Sequence, residues 1–324
     1  MQTNEQLLQL INRQIEQWDL KKQPIELYEP ITYILALGGK RVRPLLALLG
    51  CRLFSDDVMP AMPAAMAVEV FHNFTLLHDD MMDNADTRRG KPTVHKKWNE
   101  NTAILSGDAM QVQAFQLLAG ADTAKLKPLL DIFVQTAIEV CEGQQYDMNF
   151  ELRRDVSANE YIEMIRLKTA VLLGAALKMG AISGGASAGN ADALYTFGEQ
   201  IGIAFQLQDD LLDVYGDPAV FGKKIGGDIL SNKKTYMLIR AFEEAQAAEG
   251  GELLKWILTE KFNPEEKIQA VTQIYNRLGI KEICEEKIRE YTQMALVELD
   301  RVQVEESRKT ELRVLVHSLM KRNF

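Results

Sequence analysis

The sequence predicts an all-α chain, and three observations carry that expectation. Apolar residues recur at helical spacing almost throughout, and no stretch alternates apolar with polar residues as a half-buried strand would. The nine prolines leave the whole interval from Pro128 to Pro218 open to long helices. Two apolar, helix-compatible runs, Phe71 to Asp83 and Phe205 to Asp213, each deliver aspartates at i, i+1 and i+4.

In order along the chain, helices are expected near residues 4–20, 25–37, 43–55, 60–83, 99–119, 124–150, 158–182, 189–215, 231–248, 251–260, 264–278, 280–302 and 307–322. Glycine, proline and acidic punctuation separates them at Gly38-Gly39, Asp56-Asp57, Arg89-Gly90-Lys91-Pro92, Ser183-Gly184-Gly185 and between Gly216 and Gly227. No low-complexity linker divides the 324 residues, so a single domain, 1–324, is expected.

Bulk properties narrow the function. A chain that is 47% hydrophobic and 26% charged is globular, and a net charge of −9 without a basic arm argues against nucleic acid as a partner. The three cysteines, Cys51, Cys141 and Cys284, lie far apart and form neither a zinc pattern nor a disulfide framework, which points to a reducing compartment. The first residues are no signal peptide, and the most apolar stretch, residues 171–186, is too short to cross a bilayer and contains Lys178. A cytoplasmic protein without a transmembrane segment is expected.

The acidic boxes are the centre of the chemistry. On a helix, i and i+4 lie one turn apart on one face. Asp79 therefore stacks on Asp83 with Asp80 beside them, and Asp209, Asp213 and Asp210 repeat the pattern. Like charges at this spacing cost a helix a few tenths of a kcal/mol, and apolar neighbours add desolvation. A cation relieves both, and oxygen-only ligands suit Mg²⁺, which keeps several waters and shares phosphate oxygens. One such box is often just a solvated face. Two, each set in apolar sequence, argue for a metal site.

Basic segments accompany the boxes. Gly38-Gly39-Lys40-Arg41-Val42-Arg43-Pro44 puts three cations just after two glycines and at the start of a helix, where exposed amides also attract anions. Arg88 and Arg89 follow the first box and point to different sides of their backbone. Lys168 and Thr169 interrupt an apolar helix, while Gly222-Lys223-Lys224 and Lys233-Lys234 follow the second box. His72, seven residues before Asp79, faces the same side as the carboxylates, although a core position fits its periodicity nearly as well. His78, His95 and His317 have no assigned role.

Taken in order, GGKRxRP, DDxxD followed by RRG, GQxxD, KT, and FQxQDDxxD followed by GK and KK resemble the trans-isoprenyl diphosphate synthases, the farnesyl and geranylgeranyl diphosphate synthase family. The match runs from about Gly38 to Lys234. The resemblance implies the isoprenoid synthase fold, antiparallel helices around a deep central cavity, usually as a homodimer, with three Mg²⁺ between the boxes. It implies Asp79, Asp83 and Asp209 as metal ligands, with Asp80, Asp210 and Asp213 acting directly or through water. Arg88, Lys168 and Lys223 (or Lys224) would hold the allylic diphosphate, and Gly39, Lys40, Arg43, His72 and Arg89 the isopentenyl diphosphate. Thr169 and Gln206 would face the developing cation, Gln144 and Asp147 match supporting positions, and Lys233 matches a family lysine.

In this family the residues four and five places before the first box set the floor of the product tunnel. Here they are Thr75 and Phe74, with Phe71 one turn deeper. On the helical wheel Thr75 and Phe71 lie about 40° and 80° from Asp79 but Phe74 about 140° away, so Phe71 is as good a stop as Phe74. Geranylgeranyl diphosphate is the expected product, with farnesyl diphosphate or a longer polyprenyl diphosphate as alternatives. A terpene cyclase would share the acidic box but would have no use for Lys40, Arg43 and Arg89. A non-catalytic diphosphate-binding partner subunit would be under no need to keep all six aspartates.

Overall fold

The computed structural model describes residues 3–217 and 225–320 and is all-α, apart from a two-residue antiparallel ladder. Its elements are α1 (Asn4–Gln17), α2 (Ile25–Ala36), α3 (Val42–Arg52), α4 (Met62–Met82), β1 (Thr87–Arg88), β2 (Lys91–Pro92), α5 (Val94–Lys97), α6 (Glu100–Leu118) and α7 (Thr123–Leu152). Then come α8 (Ala158–Ile165), a π-helical segment (Arg166–Ala170), α9 (Val171–Ser183), α10 (Ala188–Tyr215), α11 (Gly227–Leu230), α12 (Tyr236–Glu244), α13 (Ala247–Leu258), α14 (Pro264–Arg277), α15 (Ile280–Arg301) and α16 (Glu306–Met320).

Local chemistry explains where helices begin. Thr3 and Ser157 form capping boxes with Gln6 and Glu160, and the Asn99 side chain accepts from the Thr102 amide. Pro264 occupies the first turn of α14 behind an Asn263 cap, where its missing N–H costs nothing.

The residues group into two compact units. The first comprises residues 1–135, 175–195 and 302–311, and the second residues 136–174, 196–301 and 312–324. In the first, α4 lies along α6 with α3 and α2 beside them, and Leu7, Ile11, Leu46, Leu48, Phe71 and Phe133 are fully buried. In the second, Tyr161, Leu207, Leu211, Met237, Ile274 and Cys284 belong to one apolar cluster.

The structure corrects the expected elements at several points. The helix expected over 231–248 begins only at Tyr236, because the Thr235 side chain caps the Leu238 amide, and it gives way to a second helix at Ala247. The short helices α5 and α11 add to the expected elements, since four residues carry no period that would predict them. The expected helix over 158–182 contains the π segment at Lys168 and Thr169. Among the described residues no helix is long and apolar enough to cross a membrane.

Candidate active site

In the first unit α4 carries the first acidic box to its C-terminus. Asp83 caps the helix, its amide donating 2.9 Å to the Asp79 carbonyl, so the two carboxylates do sit one turn apart. Asp79 is half-buried and Asp83 exposed, but Asp80 is only 2% exposed. The Arg88 Nε donates to both Asp80 oxygens at 2.8 Å, and a terminal nitrogen of Arg88 lies 2.6 Å from Oδ1. A buried carboxylate needs such a partner.

Arg88 pairs with Lys91 across the ladder, and Arg89 (φ 53°) and Gly90 (φ 73°) make the turn between the strands. The two arginines therefore part. Arg88 turns to the acidic box, whereas Arg89 donates to the Gly38 carbonyl in the basic turn. That turn is made by Gly38 (φ 78°), Gly39 (φ 135°) and, unusually for a residue with a side chain, Arg41 (φ 47°). Arg43 Nη1 lies 3.1 Å from His72 Nε2. Burial and the guanidinium groups of Arg43, Arg89, Arg88 and Arg41 push the His72 imidazole well below its usual pKa, so it is neutral and its Nε2 accepts from Arg43. Lys40 is exposed beside them.

Below the box, Phe71 is fully buried and Phe74 8% exposed, with ring centroids 5.4 Å apart. Phe71 also meets Phe133 edge-on at 5.4 Å, and Phe133 meets Phe115 at 5.1 Å. The Thr75 hydroxyl donates to the His72 carbonyl. Phe133 and Phe115 extend this aromatic wall and were not singled out from sequence, because nothing links them locally to α4.

In the second unit α10 carries the second box. Asp209 and Asp213 are half-buried, while Asp210 is 2% exposed and accepts from the Tyr161 hydroxyl and, at 3.0 Å, from the Gln206 amide. Burial, followed by the nearby Asp228, pushes the Asp210 carboxyl upward. Asp213 Oδ2 accepts from the Asp228 amide at 2.9 Å.

The π segment presents Lys168 and Thr169 toward α7 and α10. Lys168 Nζ lies 2.6 Å from Asp147 Oδ2, and the Thr169 hydroxyl donates 3.3 Å to the Gln206 side-chain carbonyl. Gly143, one turn before Asp147, makes the approach of α7 possible. A Cβ there would sit 2.7 Å from Lys168 Cα and 2.8 Å from the Leu167 carbonyl carbon. Single π turns inside α-helices recur at functional sites. Lys233 is exposed, and its amide donates to the Asp228 carbonyl. Gly222, Lys223 and Lys224 lie outside the described residues.

The donor set fits a hard divalent ion. In each box the middle aspartate is committed to protein donors, and the outer pair, Asp79 with Asp83 and Asp209 with Asp213, is less deeply buried. Among the described residues no three acidic, histidine or cysteine side chains converge into a closed cage. Mg²⁺ needs none, since it keeps waters and takes oxygens from a bound phosphate.

An all-α chain with two aspartate-rich helices, each accompanied by basic residues, is the construction of a metal-dependent enzyme acting on diphosphates. Its sequence matches the polyprenyl synthetase family over residues 24–275. A geranylgeranyl diphosphate synthase of Methanosarcina mazei is 45% identical over 224 residues, which cover 68% of this chain and 69% of that protein. A crystal structure of a geranylgeranyl pyrophosphate synthase, 44% identical, superposes with a TM-score of 0.94 over 100% of both chains. The Corynebacterium glutamicum geranylgeranyl pyrophosphate synthase, complexed with isoprenyl diphosphate and magnesium, is 30% identical and reaches 0.83 over 99% of this chain and 97% of that one. The chain belongs to the polyprenyl synthetase family and is a prenyltransferase.

Proposed function

We propose that the chain condenses isopentenyl diphosphate with an allylic diphosphate head to tail and releases geranylgeranyl diphosphate, as a single catalytic domain over residues 1–324. The observation that carries this reading is that each acidic box keeps its complete partner set. The first has Lys40, Arg43, His72 and Arg89 for a second diphosphate, which a cyclase would not need. The second has Lys168, Thr169 and Gln206, and none of the six aspartates is lost, as a non-catalytic subunit would permit.

Mg²⁺ held by Asp79, Asp83 and Asp209, about three ions in all, would stabilise the diphosphate as a leaving group. Lys168 and the free edge of the Arg88 guanidinium bind that diphosphate, and Lys223 or Lys224 adds a further cation. As the allylic C–O bond breaks, the Thr169 oxygen and the Gln206 carbonyl, 3.3 Å apart, present adjacent negative dipole ends to the carbocation. Lys40, Arg43 and Arg89 fix isopentenyl diphosphate so that its terminal carbon attacks the allylic C1, which supplies much of the rate as positioning. A proton then leaves the new cation. No side chain of the site is an evident base, so the departed diphosphate takes it. Lys40→Ala is expected to raise the isopentenyl KM about tenfold or more, and the allylic KM much less. An equal rise in both would move Lys40 out of the isopentenyl site.

Product length is read by incubating the purified protein with each allylic primer and sizing products by mass. The relatives named geranylgeranyl synthases and the aromatic floor of Phe71 and Phe74 support a C20 product. Phe74→Ala is expected to shift the products to longer chains, and an unchanged distribution would put the floor elsewhere. Leu105 and Val112, exposed two turns apart on one stripe of α6, support a homodimer, and the three free cysteines support a reducing compartment, the cytoplasm. A solution mass of one chain would oppose the dimer.

A further inference from the structure

The basic turn is fastened from beneath by a carboxylate that has no part in the reaction proposed above. Glu69 stands ten residues before the first acidic box, inside the apolar run of α4, and is 3% exposed. Its partner is Arg41, which is buried as well and bonds Glu69 Oε1 through one terminal nitrogen. The other terminal nitrogen of Arg41 donates 2.6 Å to the Leu35 carbonyl near the end of α2. Asn73, one turn further along α4 and fully buried, donates to the Glu69 carboxylate at 2.9 Å and to its carbonyl at 2.8 Å. The Glu69 carboxylate is thus aimed by Asn73, and Arg41 is pinned to two helices at once.

Two features show that this pair is more than filling. Arg41 has a left-handed backbone at φ 47°, a conformation that persists in a residue with a Cβ only where the surroundings over-determine it. Its carbonyl also accepts from the Leu45 amide at 3.1 Å, so Arg41 starts α3. A buried ion pair, moreover, adds little stability over a well-packed apolar pair of the same volume. What it adds here is geometry: Arg41 stands between Lys40 and Arg43, and its conformation sets the path of the chain through both.

Charge balance agrees. Arg41, Arg43, Arg88 and Arg89 all act on His72. Asp80 compensates Arg88 and Glu69 compensates Arg41, and the same two carboxylates partly offset the repulsion that Arg89 feels from Arg41 and Arg88. Without Glu69 the turn would carry a further uncompensated guanidinium against those that receive the ligand.

We propose that Glu69, oriented by Asn73 and acting through Arg41, is a positioning residue for the isopentenyl diphosphate half of the site. It holds the Gly38–Pro44 turn in the one conformation in which Lys40 and Arg43 meet that diphosphate together. This rests on the reading of the turn as the isopentenyl site, and the experiment separates the two.

The double variant Glu69→Leu/Arg41→Met removes both buried charges and keeps the volume, so it is expected to fold with a Tm near that of the parent. In the full-length enzyme its isopentenyl KM is expected to rise about tenfold or more while the allylic KM stays within about twofold. An unchanged isopentenyl KM, or an equal rise in both, overturns the proposal. Should the double variant fail to fold, Glu69→Gln decides the matter. It takes away the carboxylate charge that compensates and holds the Arg41 guanidinium, so the isopentenyl KM is expected to rise severalfold, and a value within twofold of the parent would overturn the proposal. Lys40→Ala is measured alongside. If it too leaves the isopentenyl KM unmoved, the site assignment has failed, whereas a rise in Lys40→Ala alone faults only the role of Glu69.

Discussion

Replacing Asp79 or Asp209 by Ala is expected to abolish prenyl transfer, on the order of 10³-fold or more in kcat, while the far-ultraviolet circular dichroism stays unchanged. The two halves of that expectation have different causes. Each aspartate is the first member of an i, i+4 like-charge pair on a helix. Removing one member relieves a repulsion of a few tenths of a kcal/mol, so the helix does not suffer. Catalysis does, because a metal ion supplies several kcal/mol of charge stabilisation to a leaving group and each 1.36 kcal/mol is about a factor of ten in rate. The middle aspartates behave differently. Asp80 and Asp210 are buried against Arg88 and Tyr161, and removing either leaves its partner unsatisfied, with a cost to stability as well as to rate. Retained activity in both Asp79→Ala and Asp209→Ala would put the metal elsewhere.

Gly143→Ala is expected to be nearly as damaging, although it touches no charged group. The added methyl would press on the backbone of Leu167 and Lys168, which cannot swing aside as a side-chain tip can. Either α7 moves away from the π segment, or the segment reverts toward a regular helix. In both cases Lys168 loses its register with Asp147, and Thr169 with Gln206. Overpacking of this kind costs about 1–3 kcal/mol in stability, and a misplacement of about 1 Å can cost about 10²-fold in rate. The expected result is a Tm lowered by a few degrees and kcat/KM for the allylic substrate lowered about a hundredfold. A variant with parental activity would show that the close approach at Gly143 is packing alone.

Much of the site was legible because its parts are local in sequence. The two acidic boxes, the basic turn at Gly38 to Pro44 and the Arg88-Arg89 pair are each complete within a single turn of chain. What escaped was tertiary. Tyr161 reads as one more apolar position, and its bond to Asp210 spans 49 residues. The π segment is invisible to periodicity, since one extra residue per turn over five residues barely shifts an apolar stripe. Phe133 joins Phe71 only after α7 and α4 have packed. Glu69 is the instructive case. A carboxylate in the middle of Met-Pro-Ala-Ala-Met-Ala-Val-Glu-Val-Phe demands a buried cation, and only the structure shows that Arg41, the middle cation of the basic turn, is the one that answers. The start of α12 has a local signal, because Thr235 is a strong cap and Lys233-Lys234 before it carry no apolar stripe.

The most direct test of the account is a crystal structure with isopentenyl diphosphate, an allylic thiolodiphosphate that cannot ionise, and Mn²⁺ in place of Mg²⁺. Anomalous difference maps are expected to show the ions on carboxylate oxygens of Asp79, Asp83 and Asp209, bridging to the allylic diphosphate, with Lys168 on the same phosphates and Arg43 on those of the second substrate. Ions bound by other residues, or an allylic diphosphate seated away from both aspartate boxes, would contradict it.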